Sequence, residues 1–260
     1  MGDQQGVRYS QGQKDIGQAR NLSWEYPVPD NDFWRDLPYS LSRNFLQSFS
    51  PEKLLQLSAH FEGHDKLDRV AKLELLARLL HDELKEQDAS AAANAAAAED
   101  DDSRQTFYDV NYPRWRAVWL AVCSAQQELG QRVEAEDTLR MLHEKRRDPA
   151  NLSHLHSLAS LLLTRGVYAE AERMELDVRT WLDSRLGRDS PQALGARRML
   201  AEATWKQGAT RRQEAGDVVD EMRVIIDGMG AGQYAAYQDE EREMLDKLVL
   251  SLQDGHQEGN

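Results

Sequence analysis

His60 and His64 stand four residues apart, the spacing that sets two metal ligands on one helix face. The text between them is "HFEGH", without the glutamate of His-Glu-x-x-His, and Gly63 ends the helix, so no metal pair is expected. His154 and His156 are two apart and point to different faces of a helix, which leaves at most one of them on any groove. "GMGAG", 228–232, has the glycines of a phosphate loop but follows a helix instead of a strand, and reads as a connection between helices. The carboxylates of Glu99–Asp102 lie in a low-complexity segment and are expected to be solvated, not to hold a hard cation. Cys123 is the single cysteine, so no disulfide can form within the chain, and its apolar neighbours suit a core thiol. No nucleophile has an evident base and orienting partner. If His156 or Glu202 faces a helical groove, as the resemblance given below implies, either could transfer protons on a small hydrophobic molecule bound there, in isomerase- or cyclase-like chemistry. That enzyme is the alternative reading. The main one is a non-catalytic protein without metal or cofactor.

Charge narrows the partners. The 260 residues carry 45 acidic and 32 basic side chains, a net −13, which repels phosphate backbones and anionic lipid. Nucleic acid is therefore not expected. No stretch approaches the roughly 18 apolar residues of a membrane span, and the N-terminus lacks the apolar core of a signal peptide. With a lone cysteine added, the expectation is a cytoplasmic protein.

These residues must be positioned by helices. Residues 1–38 read as a flexible arm whose second half, "WEYPVPDNDFWRDLPY", is an aromatic and proline-rich strap able to pack on a helical surface. Residues 39–87 read as a helical hairpin: Ser50 caps a helix with Pro51 at its first position, and Leu67, Val70, Leu73, Leu76 and Leu80 line one face of a second. The Ala-rich, acidic stretch 88–105 reads as a linker. Residues 106–255 read as helical repeats with a capping helix at the end, and 256–260 as a tail.

The repeats announce themselves in a motif written twice. "GQRVEAE" begins at Gly130 and "GVYAEAE" at Gly166. Aligned on these glycines, Trp119 and Leu155 fall eleven residues before, and Val122 and Leu158 eight before. Gly208, preceded by Leu200 at the same distance of eight, marks a third copy. Each unit is then a first helix, a turn glycine and a second helix with a small residue, Ala135, Ala171 or Ala215, where paired helices approach. One pair leaves an apolar face open; stacking buries it. The third copy departs, with two extra residues in "GATRRQEAG" and no Glu-Ala-Glu.

Trp119, Gly130, Ala135 and Leu139 resemble the signature positions of a tetratricopeptide repeat, and "LTRGVYAEAERMELDVRTWLDSRLGRDSPQAL" is similar to the longer units of kinesin-light-chain type common in filamentous fungi, with Ser190 in place of their usual histidine. The resemblance implies an all-α fold, a right-handed superhelix of antiparallel helix pairs. It also implies a scaffold or adaptor whose inner surface, lined by the first helix of each pair, binds a segment of another protein. The inward positions it transfers are Leu120, Ser124 and Gln127; His156, Ser160 and Leu163; and Arg198, Glu202 and Trp205. Arg198 and Trp205 are of the types that often serve as interface hot spots. The basic clamp used by some relatives for acidic C-terminal tails is absent from the corresponding positions.

Overall fold

The computed structural model describes residues 7–8, 26–62, 66–97 and 105–254. Trp24, His64, the acidic run Glu99–Asp102, the tail and most of the N-terminal arm lie outside these residues, as does the side chain of His60. The described residues form helices and one two-stranded ladder, divided between two compact units, 1–13 with 22–138 and 14–21 with 139–260.

In the N-terminal unit the arm is not without structure. β1 (Val7–Arg8) pairs antiparallel with β2 (Val28–Pro29). The strap that follows is built into the unit's own core. Asn31 Oδ1 accepts from the backbone N–H of Phe33 and Trp34, turning the chain so that both rings are buried. They meet Phe61, with ring centroids 4.7 and 5.1 Å away, and Trp34 also meets Phe45 at 5.7 Å. Lys72 Nζ, 3% exposed, locks the strap by donating to Asp32 O at 2.7 Å and Asp36 Oδ1 at 2.8 Å.

The expected hairpin is three helices: α1 (Tyr39–Gln47), α2 (Pro51–Glu62) and α3 (Arg69–Ala97). α1 is nine residues long and amphipathic, with Leu41, Phe45 and Leu46 on its buried face. In α3 the inward face is shifted from the expected one: Val70 is exposed, while Lys72 and Leu75 are buried. The linker expected over 88–105 is also corrected, over residues 88–97. α3 runs unbroken through Ala97, because alanine costs a helix almost nothing and because a partner covers it. Ala91 and Ala95, four apart, are buried, and α4 (Phe107–Val110) packs on α3, with Phe107 N–H donating to Asp88 Oδ1 at 2.8 Å.

α5 (Tyr112–Glu128) begins with an Asn111 cap and Pro113 in its first turn, and packs on both α1 and α3. It pairs with α6 (Arg132–Glu144): Thr138 donates to Gln126 Oε1 at 2.9 Å, and Ala135 is fully buried. Trp119 is only half-buried; the deeper indole is Trp115. Cys123 is buried beneath α6, and burial pushes its thiol up to about 11. Its reaction with iodoacetamide at pH 8 is accordingly expected to be slower than that of a free thiol by roughly two orders of magnitude and to recover in denaturant, since only thiolate reacts. Mass spectrometry of the alkylated chain checks this.

The C-terminal unit contains α7 (Ser153–Thr164) with α8 (Tyr168–Leu186), α9 (Pro191–Trp205) with α10 (Arg212–Gly228), and α11 (Gln238–Asp254). The recurring glycine has a common cause in the first two turns. Gly130 and Gly166 adopt φ of 73° and 80°. In each, the glycine N–H bonds the carbonyl three residues back and the next N–H bonds the one five back: Gln127 and Gln126 in one turn, Leu163 and Leu162 in the other. That is the Schellman closure of a helix, which requires a left-handed residue. The small alanine beyond it, Ala135 or Ala171, is buried where the second helix crosses the first.

The flanking glutamates clamp neighbouring pairs. Arg140 of α6 reaches Glu170 at 3.1 Å, and Glu172 accepts from Thr204, Gln207 and Arg211 at 3.2, 2.6 and 2.8 Å. The extra residues of the third copy form a 3-10 turn, Ala209–Arg211, that brings Arg211 back to this carboxylate. Gly208 there has φ 119° and ψ 178°, a conformation essentially closed to other residues. Nothing lies within 4 Å of a Cβ built on it or on Gly130. Gly208→Ala is therefore expected to cost about 2–3 kcal/mol from backbone strain alone, against about 1 kcal/mol for Gly130→Ala. Urea unfolding of the two variants tests the ranking.

α11 lays Leu245, Leu248 and Leu252 on a core made by Leu194 and Ala201 of α9 and Val219, Met222 and Ile226 of α10. Burial of three leucines is worth on the order of 5–9 kcal/mol before the entropy of ordering the helix. The solvent face of α11 is mostly charged, as a terminal helix of a repeat array requires.

Candidate functional site

The nine transferred positions fall in three registers of the first helices, ten, six and three residues before each turn glycine. The structure treats each register differently in each copy.

At the first register Leu120 is half-buried on α5. His156 sits on α7 with its side chain 37% exposed, and its Nδ1 lies 2.9 and 3.1 Å from the two oxygens of Glu175 on α8. Glu175 is fully buried, and burial raises its pKa; the hydrogen bond and charge of His156 oppose that rise. Against a carboxylate this nitrogen carries the proton, so the opposite ring nitrogen is the one left for other partners. Arg198 on α9 forms an ion pair with Glu241 of α11, whose side chain is 3% exposed. Arg198 therefore holds the terminal helix, and its expected availability as a hot spot is corrected.

At the second register Ser124 accepts a hydrogen bond from Asn44 Nδ2 of α1 at 3.0 Å and donates to Leu120 O. The unexpected helix α1 thus covers the position expected to face a partner. Ser160 on α7 is exposed. Glu202 is 30% exposed and pairs with Lys206 one turn on, at 2.5 Å. At the third register Gln127 is exposed and donates to Cys123 Sγ, while Leu163 is buried. Trp205 packs against the core shared by α9, α10 and α11, with the Arg212 guanidinium 5.1 Å from its ring centroid. Trp205 thus covers the neighbouring helices. His156 and Glu202, the two candidates for proton transfer, each have a partner of their own, Glu175 and Lys206.

The strongest polar cluster is not legible in the sequence. Arg197, 1% exposed, makes a two-pronged contact with Asp183 at 2.8 and 2.7 Å and donates to Glu221 at 2.9 Å, joining α8, α9 and α10. Glu221 also meets Arg188 at 2.7 Å and Arg179 at 3.8 Å. The clue lies in adjacent arginines, Arg197 and Arg198, on an otherwise small-residue helix, where one of the two has to face inward. Among the described residues no helix is long and apolar enough to cross a membrane.

Fold and polar contacts define an all-α protein of packed helix pairs, in which charged groups on facing helices hold one pair to the next. Two solved structures are similar to the chain at low identity. Both are of a Podosopora anserina protein provisionally assigned as a kinesin light chain, with nearly identical TPR-like repeats, and one of them is a point variant of the other. The variant is 17% identical with a TM-score of 0.46, covering 76% of this chain and 93% of that one; the other is 17% identical with a TM-score of 0.44, covering 76% and 94%. No family model matches the chain, and no curated protein matches it.

Proposed function

We propose that the chain is a non-catalytic scaffold whose first helices in the C-terminal unit bind a segment of another protein. The observation that supports this is the register six residues before the turn glycine: Ser160 and Glu202 occupy it on α7 and α9 and remain accessible beside the half-exposed His156. A short polar surface of this kind suits an extended or helical peptide held by side-chain hydrogen bonds. Its sparse charge gives it little pull on nucleic acid.

The residues to substitute follow from the geometry. Arg198 and Trp205 are poor probes, because changing them loosens α11. Ser160→Arg with Glu202→Arg adds bulk and reverses charge on the open register without touching the core. Captured proteins from native extract are expected to bind the wild type and to lose at least about tenfold in affinity for this variant, the change produced by about 1.4 kcal/mol. Equal capture by a variant of unchanged helicity would rule the surface out.

A further inference from the structure

Where α7 meets α8, a charge is left without a counter-ion among the described residues. Glu175 of α8 is fully buried, no lysine or arginine pairs with it, and its two oxygens meet Nδ1 of His156 on α7 at 2.9 and 3.1 Å. α7 also packs on α9, but the charged positions there are balanced within the chain: Arg198 by Glu241 and Glu202 by Lys206. With a proton on Nδ1 and none on Nε2, the His156–Glu175 couple carries −1. One further proton, on the ring or on the carboxyl, brings it to zero.

The ring is held by its inner nitrogen and offers its outer one. The His156 side chain is 37% exposed; its Nε2 has no hydrogen-bond partner among the described residues and is not one of the buried polar atoms. A carboxylate behind an imidazole fixes its orientation and makes the far nitrogen a stronger acceptor. Because Glu175 is out of water, its charge is weakly screened and is felt at that nitrogen. Ser160 stands exposed one turn further along α7, with a hydroxyl that can also accept.

We infer that Nε2 of His156 anchors a lysine or arginine side chain of the partner segment, and that this contact and a proton exclude one another. The inference rests on the scaffold reading of the C-terminal unit and names the partner's chemistry. A basic side chain donates to Nε2 and supplies the positive charge that Glu175 lacks, in the row cation, imidazole, carboxylate. An acidic side chain needs the protonated ring, meets a couple of no net charge and approaches a chain of net −13. Acid adds the proton that removes both the acceptor and the negative charge. Binding therefore weakens as pH falls through the range in which histidine titrates, where lysine and arginine keep their charge.

Phage displaying random twelve-residue peptides, panned on the full-length protein at pH 8, supply the probes; recovered peptides are synthesised and titrated calorimetrically at pH 8 and pH 5.5. Lysine and arginine are expected to be enriched over the unselected library, and affinity to fall about tenfold at pH 5.5 while circular dichroism of the protein is unchanged. Glutamine in place of the peptide's basic residue should weaken binding and flatten the pH dependence. So should His156→Gln combined with Glu175→Gln, which removes the charge without stranding a carboxylate. Peptides without basic enrichment, affinity equal or higher at pH 5.5, or binding unchanged in the double variant overturns the inference. The peptide substitutions decide the matter even if the double variant fails to fold. Peptides that Ser160→Arg with Glu202→Arg loses, but that are neither basic nor proton-sensitive, overturn this inference and leave the scaffold reading standing; recovery of no peptide overturns both.

Discussion

Arg197→Ala is expected to lower the stability of the C-terminal unit by about 3–5 kcal/mol, the usual consequence of breaking a buried ion pair from one side. The side chain is 1% exposed and touches both Asp183 on α8 and Glu221 on α10. Arg197→Met keeps most of the volume, and the two carboxylates it would strand are each about a quarter exposed and can take up water. Its cost should therefore be well below that of alanine, and the difference between the variants separates packing from charge. The cluster also has a pH signature. Burial tends to raise the pKa of Glu221, but hydrogen bonds from Arg188 and Arg197, with the charges of Arg197 and Arg179, outweigh it and hold the carboxyl below its ordinary 4.5. A depressed folded value stabilises the fold above the unfolded value and is lost as pH falls through the folded one. Wild-type stability should thus decline below about pH 4.5, and more shallowly in Arg197→Met; guanidinium unfolding at several pH values measures both.

His156→Ala should produce the opposite slope. It leaves Glu175 buried with no other hydrogen-bond partner among the described residues, and removes the two influences that restrain its raised pKa. A carboxyl whose folded value lies above its unfolded value stabilises the fold when protonated, and that contribution is lost as pH rises through the folded value. The variant can escape a stranded charge by taking up a proton, so the penalty from the charge is limited to about 3–4 kcal/mol at pH 7 and falls below about 1 kcal/mol near pH 5. Adding Glu175→Gln should remove the pH dependence and return most of the stability. A His156→Ala penalty equal at pH 5 and pH 8 would show that Glu175 is not buried as a charge in the folded protein.

What is legible in the sequence is whatever closes locally. The Schellman turns at Gly130 and Gly166 and the small residues Ala135 and Ala171 lie within a few positions of one another, so their spacing carries the geometry. α1 escapes a sequence reading because nine residues beside a proline-rich strap give too little periodicity to distinguish from a loop. The Ala-rich end of α3 reads as a linker because alanines show nothing to bury; the helices that pack on α3, α4 and α5, lie beyond its end in the chain. The candidate site departs from expectation for a similar reason. Positions can be transferred by counting from a glycine, but the partners that occupy Ser124, Arg198 and His156 are Asn44, Glu241 and Glu175, respectively 80, 43 and 19 residues away. Periodicity within a helix carries no information about such distant neighbours.

Glu172 has a bearing on how the C-terminal unit comes apart. Its side chain, 14% exposed, gathers Thr204, Gln207 and Arg211 from the following pair, so that one carboxylate adds a second fastening between repeats already joined by Arg197 and Asp183. In a linear array, whether neighbours melt together or one after the other depends on the coupling between them relative to the stability of each. The glutamate of a repeated seven-residue motif is thus also a link in cooperativity: by coupling adjacent helix pairs it favours their melting as one body.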